Sequence, residues 1–286
     1  HLYIPYKRQY FFQDFFKNST GNATYPLSRL AFTSIKNTIV LKIFTCYTGK
    51  LEGDLLIKHM IFENKIAIIF GSTGGLGQAV AKKYIDHGAH IISVGRNMGV
   101  LEELDDYAQA KGSSTTIVHL DIKDTDKLKH LAQELSDRFG KIDILVSTIA
   151  ILGEITPLEQ YDEKIWHDVM NTNLTANWQI IKYFHPLLLS SENPSAVFCS
   201  CDMSELNNAY WGAYSVSKAA LEKLVQIYAE ETKNSKIKVS LIDTGPISTP
   251  LRLCAFPGKD SKDFKKPEEV ADLFVTKTAE HNIIHS

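Results

Sequence analysis

The chain has 286 residues, 44% of them hydrophobic and 22% charged, with a formal net charge of -2 at pH 7. That is the make-up of a globular protein long enough for one large domain or two small ones, and near-neutrality provides no field to attract nucleic acid or an acidic partner. Cys46, Cys199, Cys201 and Cys254 lack the spacing of a zinc site, and the histidines are scattered, so the expectation is no metal and a reducing, cytoplasmic setting.

The first fifty residues carry Lys7, Arg8, Lys17, Arg29, Lys36, Lys42 and Lys50 against the single acid Asp14. Such a bias is found in organelle transit peptides, but no sustained amphipathic period accompanies it. Lys36 and Lys42 interrupt the apolar stretch from Leu30 to Phe44, which argues against a membrane span. Met60 stands just before the first ordered pattern. Residues 1–59 are therefore read as an N-terminal extension, either unstructured or upstream of the native start, and residues 60–286 as the folded domain.

From Met60 onward short apolar runs alternate with helical patterns. Strands are predicted at Ile66 to Phe70, Ile91 to Val94, Thr116 to Leu120, Ile142 to Val146, Ala196 to Cys199 and Ile237 to Ile242. Helices are predicted at Gly77 to His87, Leu101 to Ala110, Lys127 to Phe139, Glu163 to Leu189 and Ala213 to Glu231. Apolar strands alternating with amphipathic helices imply an α/β fold, a single doubly wound domain with a parallel sheet covered on both faces.

Within "IIFGSTGGLGQA", Gly71, Gly75 and Gly77 follow the first of these strands and open the first helix. Free amides at a helix start can hold a pyrophosphate, and absent side chains let it come close. Alone, the motif is equally consistent with a tight strand-to-helix turn. In "WGAYSVSKAAL", Tyr214 and Lys218 lie at i and i+4, so both project from one helix face. An ammonium beside a phenol favours the phenolate, which makes Tyr214 a candidate proton donor and acceptor for a carbonyl or alcohol. A nucleotide-binding methyltransferase would fit the glycines but leave this pair without a role.

The glycine spacing, Tyr214-x-x-x-Lys218, Asn173 in "NTNLTAN" and Thr249 in "TGPIST" together resemble the short-chain dehydrogenases/reductases, from Met60 to about Ala279. "WGAY", "SKAA" and "CAFP" are similar to a little-characterised bacterial oxidoreductase branch of that family. The resemblance implies a Rossmann-type sheet, hydride transfer involving a nicotinamide, and a homodimer or homotetramer. It implies Tyr214 as acid/base, Lys218 as the residue that lowers its pKa and holds the ribose, and Asn173 as positioning a water in the proton relay. An asparagine satisfying an irregularity in the helix backbone is compatible with that last role. The resemblance further implies cofactor contacts from Gly71, Thr73, Gly75, Leu76, Gly77, Asp121, Ile122, Lys218, Gly245 and Thr249. Asp121 could equally serve as a simple helix cap.

Cofactor preference is read in "ISVGRN". An NAD enzyme usually places a carboxylate there for the ribose hydroxyl, whereas this chain offers Gly95, Arg96 and Asn97. Arg96 can fork onto a 2'-phosphate, so NADP(H) is preferred, with NAD(H) the alternative.

Several positions depart from the family pattern. Cys201 stands where the catalytic serine is expected, and a thiol is the weaker donor. Ser200 or Ser204 is a substitute only if the strand end is shifted, since alternation turns Ser200 the other way. "STIA", Ser147 to Ala150, replaces N-N-A-G, Thr244-Gly245 replaces P-G, and Phe70 replaces a threonine before the glycine turn. The usual final strand is not recognisable. Two functions follow: an oxidoreductase acting on a small carbonyl or secondary alcohol, weakened or altered by Cys201, or a dinucleotide-binding sensor or partner that has lost efficient chemistry. Leu251, Leu253, Phe256 and Pro257, with Trp211, are read as an apolar wall near a mobile lid. Substrate identity and reaction direction stay open.

Overall fold

A computed structural model describes residues 30–35, 38–44, 51–58, 60–201 and 209–283. The chain divides into two units, with the boundary between His59 and Met60. In the first, β1 (Leu30–Ile35), β2 (Thr38–Phe44) and β3 (Leu51–Lys58) pair antiparallel in that order, with an irregularity in register between Lys42 and Phe44. The segment read as an extension thus contains strands between 30 and 58, while the basic positions at Lys7, Arg8, Lys17, Arg29, Lys36 and Lys50 lie outside the described residues.

The second unit runs β4 (Ile66–Phe70), α1 (Gly75–Asp86), β5 (His90–Gly95), α2 (Met98–Ala110), β6 (Thr115–His119), α3 (Thr125–Phe139) and β7 (Ile144–Ser147). It continues through α4 (Glu163–Met170), α5 (Ala176–Leu189), β8 (Ser195–Ser200), α6 (Gly212–Thr232), β9 (Lys238–Asp243), α7 (Pro250–Ala255) and α8 (Pro267–Ile283). The six strands β4–β9 are all parallel in the order β6-β5-β4-β7-β8-β9. This is the Rossmann-type order, and it places the topological switch between β4 and β7.

Burial on both faces explains why β4 reads IAIIF with no polar residue. Successive side chains alternate between two cores. Ala67 and Ile69 join Val80 and Tyr84 of α1, Leu104 of α2 and Phe274 of α8. Ile68 and Phe70 join Leu128 of α3, Ile180 and Phe184 of α5 and Leu221 of α6. Phe70 meets Phe184 edge to face at 5.1 Å, so the departure at this position is absorbed into the second core.

Two features exceed the sequence reading. The single helix expected over Glu163 to Leu189 is interrupted by a π-turn at Asn171–Thr175 that separates α4 from α5. Beyond β9 the described residues form α7 and α8, which the periodicity did not signal. Helix α8 covers α1, and the buried Tyr84 hydroxyl donates to the Phe274 carbonyl at 3.1 Å and shares a 2.6 Å hydrogen bond with Thr278.

Asp143, just before β7, ties the sheet together away from the glycine turn. Its carboxylate accepts from the Ile66 amide at 3.0 Å, the Ser191 hydroxyl at 2.6 Å and the Lys141 ammonium at 2.9 Å. Burial pushes its pKa up, but these three donors outweigh it and the net shift is downward. A carboxylate with a lowered folded-state pKa contributes stability above its unfolded pKa and loses it as pH falls through the folded value. Asp143→Ala is expected to lower unfolding free energy by about 2–3 kcal/mol at neutral pH. The difference from wild type should shrink on acidification, as read from urea midpoints at several pH values.

Candidate active site

The glycine turn is shaped by two close approaches. Gly71 has φ +82°, and a Cβ on Gly77 would lie 2.0 Å from the Gly71 carbonyl oxygen and 2.8 Å from Thr148 Oγ1. No L side chain fits at Gly77 without moving that backbone. Thr148, after β7, donates from its hydroxyl to the Phe70 carbonyl at 3.1 Å, so the two strands at the switch point close around the turn. Gly74 caps α1 without a side-chain acceptor for the first-turn amides. These glycines and amides form a cradle that fits a pyrophosphate.

Across from the turn, the segment after β9 comes close. Thr249 Cγ2 lies 3.4 Å and Pro250 Cδ 3.6 Å from where a Gly75 Cβ would stand. Thr249 also caps α7 by accepting from the Arg252 amide at 3.3 Å. Between these walls lies a cleft with a cavity of about 360 Å³. The glycine turn, the end of β8, Trp211, Tyr214, Lys218 and the Thr244–Arg252 segment line it.

On α6, Tyr214 and Lys218 face this cleft, and the end of β8 runs past them. The Lys218 ammonium donates to the Cys199 carbonyl at 3.1 Å and is almost fully buried. Cys201 packs against Tyr214, and both line the cleft. Burial pushes the Tyr214 phenol well above its ordinary pKa, the thiols of Cys201 and Cys199 add to this, and the Arg252 guanidinium opposes it. The net direction is upward, opposite to the lowering expected from the Lys218 ammonium, because desolvation outweighs the Arg252 charge, and the phenol keeps its proton at neutral pH. Burial likewise pushes the Cys201 thiol up to about 11, against the charge of Lys218, so it too stays protonated.

Behind the cleft runs a buried polar chain. The Ser147 hydroxyl donates to Asn177 Oδ1 at 2.5 Å, and Asn177 Nδ2 donates to the Asn173 carbonyl at 2.8 Å. The Asn173 side chain accepts from the Ile151 amide at 2.8 Å and donates to the Ile151 carbonyl at 2.9 Å and to Ser217 Oγ at 3.0 Å. Ser217 in turn donates to the Tyr214 carbonyl at 2.8 Å. The π-turn turns Asn173 inward, where its polar atoms are satisfied by the chain itself.

Among the predicted site residues, Thr73, Gly75, Leu76, Gly77, Cys201, Tyr214, Lys218, Gly245 and Thr249 line the cleft together. Gly71 lies beneath the turn, and Asn173 is fully buried behind it. Arg96 is exposed at the end of β5, with its carbonyl accepting from His119 Nε2 at 2.9 Å. Asp121 and Ile122 follow β6 outside the cleft lining. Asp121 accepts from the Lys123 amide at 3.1 Å, whereas the cap of α3 is Asp124, which accepts from the Lys127 amide at 3.1 Å. The Ser200 hydroxyl is directed to Glu222, as strand alternation requires, and Ser204 lies outside the described residues.

Of the expected apolar wall, Leu251, Phe256 and Trp211 cluster with Tyr214, joined by Ala150 and Leu152. Leu253 and Pro257 are exposed. Arg252 lines the cleft with its guanidinium over Phe256 at 4.2 Å and Phe264 at 5.0 Å. The sequence reading passed over Arg252, Asn177, Ser217 and Glu222. Only Asn177 and Glu222 carried a signal, each lying four residues beyond a residue already singled out.

With this arrangement in view, the short chain dehydrogenase family pattern matches residues 65–257. The chain belongs to the short chain dehydrogenase family of oxidoreductases. It is 28% identical over 221 residues to the uncharacterized oxidoreductase YciK of Escherichia coli strain K12, covering 76% of this chain and 87% of that protein. A short chain dehydrogenase structure from Salmonella enterica serovar Typhi strain CT18 matches with a TM-score of 0.74 and 30% identity, covering 78% of this chain and 93% of that one. Another, from Shigella flexneri 2a strain 301 complexed with NADP, matches with a TM-score of 0.74 and 28% identity over 77% and 93% of the two chains. No described helix is long and apolar enough to cross a membrane.

The crowding at Gly77 predicts the effect of a single methyl. Gly77→Ala is expected to destabilise the domain by about 1–3 kcal/mol, because the added carbon must displace the backbone of Gly71. Denaturant midpoints compared with wild type test this.

Proposed function

We propose that the chain is an NADP(H)-dependent oxidoreductase that interconverts a small carbonyl compound and its secondary alcohol, with Tyr214 as acid/base. The observation that carries this reading is the meeting, in one cleft, of the glycine cradle with Tyr214, Lys218 and Cys201. The start of α1, where Gly74, Gly75 and Gly77 line the cleft and no side chain caps the first-turn amides, fits the pyrophosphate of a dinucleotide. Gly71, Thr73, Gly75, Leu76 and Gly77 would hold it, with Lys218, Gly245 and Thr249 toward the nicotinamide end and Asp121 and Ile122 toward the adenine. Arg96 would face the 2'-phosphate, a preference supported by the complex of the Shigella structure with NADP.

When bound, the cofactor supplies or accepts the hydride. The protein's share is the proton. Tyr214 gives its phenolic proton to the oxygen of a carbonyl undergoing reduction and takes one back in the opposite direction. The Cys201 thiol, uncharged at neutral pH, orients that oxygen as a hydrogen-bond donor. Lys218 supplies a fixed positive charge that stabilises the phenolate once the proton has left. Asn173 keeps the loop at Ile151 and Ser217 in place, which steadies Tyr214 through its carbonyl. Trp211, Leu251 and Phe256 favour an apolar substituent on the substrate.

Two measurements test this. In a carbonyl-substrate screen followed by nicotinamide absorbance, Tyr214→Phe should lower kcat by about 10²–10⁴ while leaving NADPH affinity unchanged. NADPH binding without turnover across a broad panel of carbonyls would overturn the enzyme reading in favour of a dinucleotide sensor. Arg96→Ala should weaken NADPH binding about tenfold or more while leaving NADH binding as it was, measured by fluorescence titration of each nucleotide. Equal losses for both would remove Arg96 from the 2'-phosphate.

A further inference from the structure

Three residues one helical turn apart on α6 engage three consecutive residues at the end of β8. Lys218 donates to the Cys199 carbonyl at 3.1 Å, the Ser200 hydroxyl donates to the Glu222 carboxylate, and Tyr214 packs against Cys201. Positions 214, 218 and 222 share one face of a helix, whereas successive strand residues alternate sides. Cys199 therefore packs into the core beneath α1 and α8, and Ser200 turns toward α6. Ser200 is buried and Glu222 half-buried, and an acid in such a place is retained where a donor meets it.

We propose that Glu222 is a positioning residue: its carboxylate holds the Ser200 hydroxyl against α6, so that the end of β8 cannot rotate and the Cys201 thiol is the group presented beside Tyr214. This rests on the reading of Tyr214 as the acid/base. A hydroxyl that donates to Glu222 has no proton left to offer a substrate oxygen. Glu222 thereby decides which of two adjacent donors serves the cleft, and it settles the geometry of the peptide that Lys218 grips. The charged and titratable groups around this strand end are Tyr214, Lys218 and Glu222 from α6, Cys199 and Cys201 from β8 and its continuation, Asp243 from β9 and Arg252 from α7.

The test uses the full chain with Cys46→Ser and Cys254→Ser, labelled with iodoacetamide and quantified at Cys199 and Cys201 by peptide mass spectrometry. Glu222→Ala and Ser200→Ala should each raise the labelling rate of Cys201 about fivefold by freeing the strand end, with Cys199 unchanged. Glu222→Gln, which keeps an acceptor for Ser200, should restore the wild-type rate. Where carbonyl reduction is measured, Glu222→Ala and Ser200→Ala should lower kcat about tenfold with KM for NADPH unchanged. Identical Cys201 labelling in all variants overturns the proposal. A parallel rise at Cys199 also overturns it, since that reports general loosening of the fold. Labelling needs no turnover, so a failed reductase reading and a failed positioning role give different results.

Discussion

One side-chain amide, Asn173, holds the cleft-lining helix α6 to the segment that leaves β7. It binds both the amide and the carbonyl of Ile151, on the segment leaving β7, and donates to Ser217, one turn beyond Tyr214 on α6. An ordinary α-helix from α4 into α5 would leave this side chain on another azimuth. The extra residue of the π-turn provides the inward aim, and Asn177 secures the local carbonyl in turn. Removing any one member would strand buried donors and acceptors. Such a network favours a single arrangement of loop, helix and strand end, which the proposed proton transfer at Tyr214 needs.

The departures from the family pattern are met by local compensation. Ser147 finds an acceptor in Asn177, Thr148 closes the glycine turn by bonding the Phe70 carbonyl, and Phe70 fills the second core against Phe184. At Cys201 the compensation is electrostatic. Burial keeps both the thiol and the phenol protonated at neutral pH, so the cleft holds two neutral donors beside the buried Lys218 charge. That state suits the proposed delivery of a proton to a carbonyl oxygen, while the opposite direction requires the phenol to be deprotonated first.

The charge pattern also separates the two ends of the domain. Asp143 gathers an amide, a hydroxyl and an ammonium at the start of the strands, far along the sheet from the glycine turn. Its carboxylate is fully committed to holding elements together. At the carboxyl ends of the strands, glycine backbone, Tyr214, Lys218 and Arg252 converge on open space instead. Ligands bind at this edge of doubly wound sheets because the switch in strand order opens a crevice there.

Strand β4 lies where it was read, at Ile66–Phe70, and the other strands of the sheet lie within two residues of their predicted ends. Period and apolarity encode that much, since a strand buried on both faces leaves no room for polar residues. Gly71, Gly75, Gly77, Tyr214 and Lys218 were legible for similar reasons, because backbone crowding and helical spacing are local constraints. Helix α8 was not legible, because its burial comes from α1, nearly two hundred residues away in sequence, and not from its own period. The π-turn, the grip of Glu222 on Ser200, the placement of Arg252 and the raised pKa of Tyr214 were likewise out of reach. The sequence by itself determined the alternating architecture, the glycine-rich strand-to-helix turn and the spacing of Tyr214 and Lys218, all set by neighbours within a few residues. Only the tertiary structure decided which polar groups were spent on one another and which were left facing the cleft, because hydrogen bonding and desolvation depend on what distant segments bring alongside.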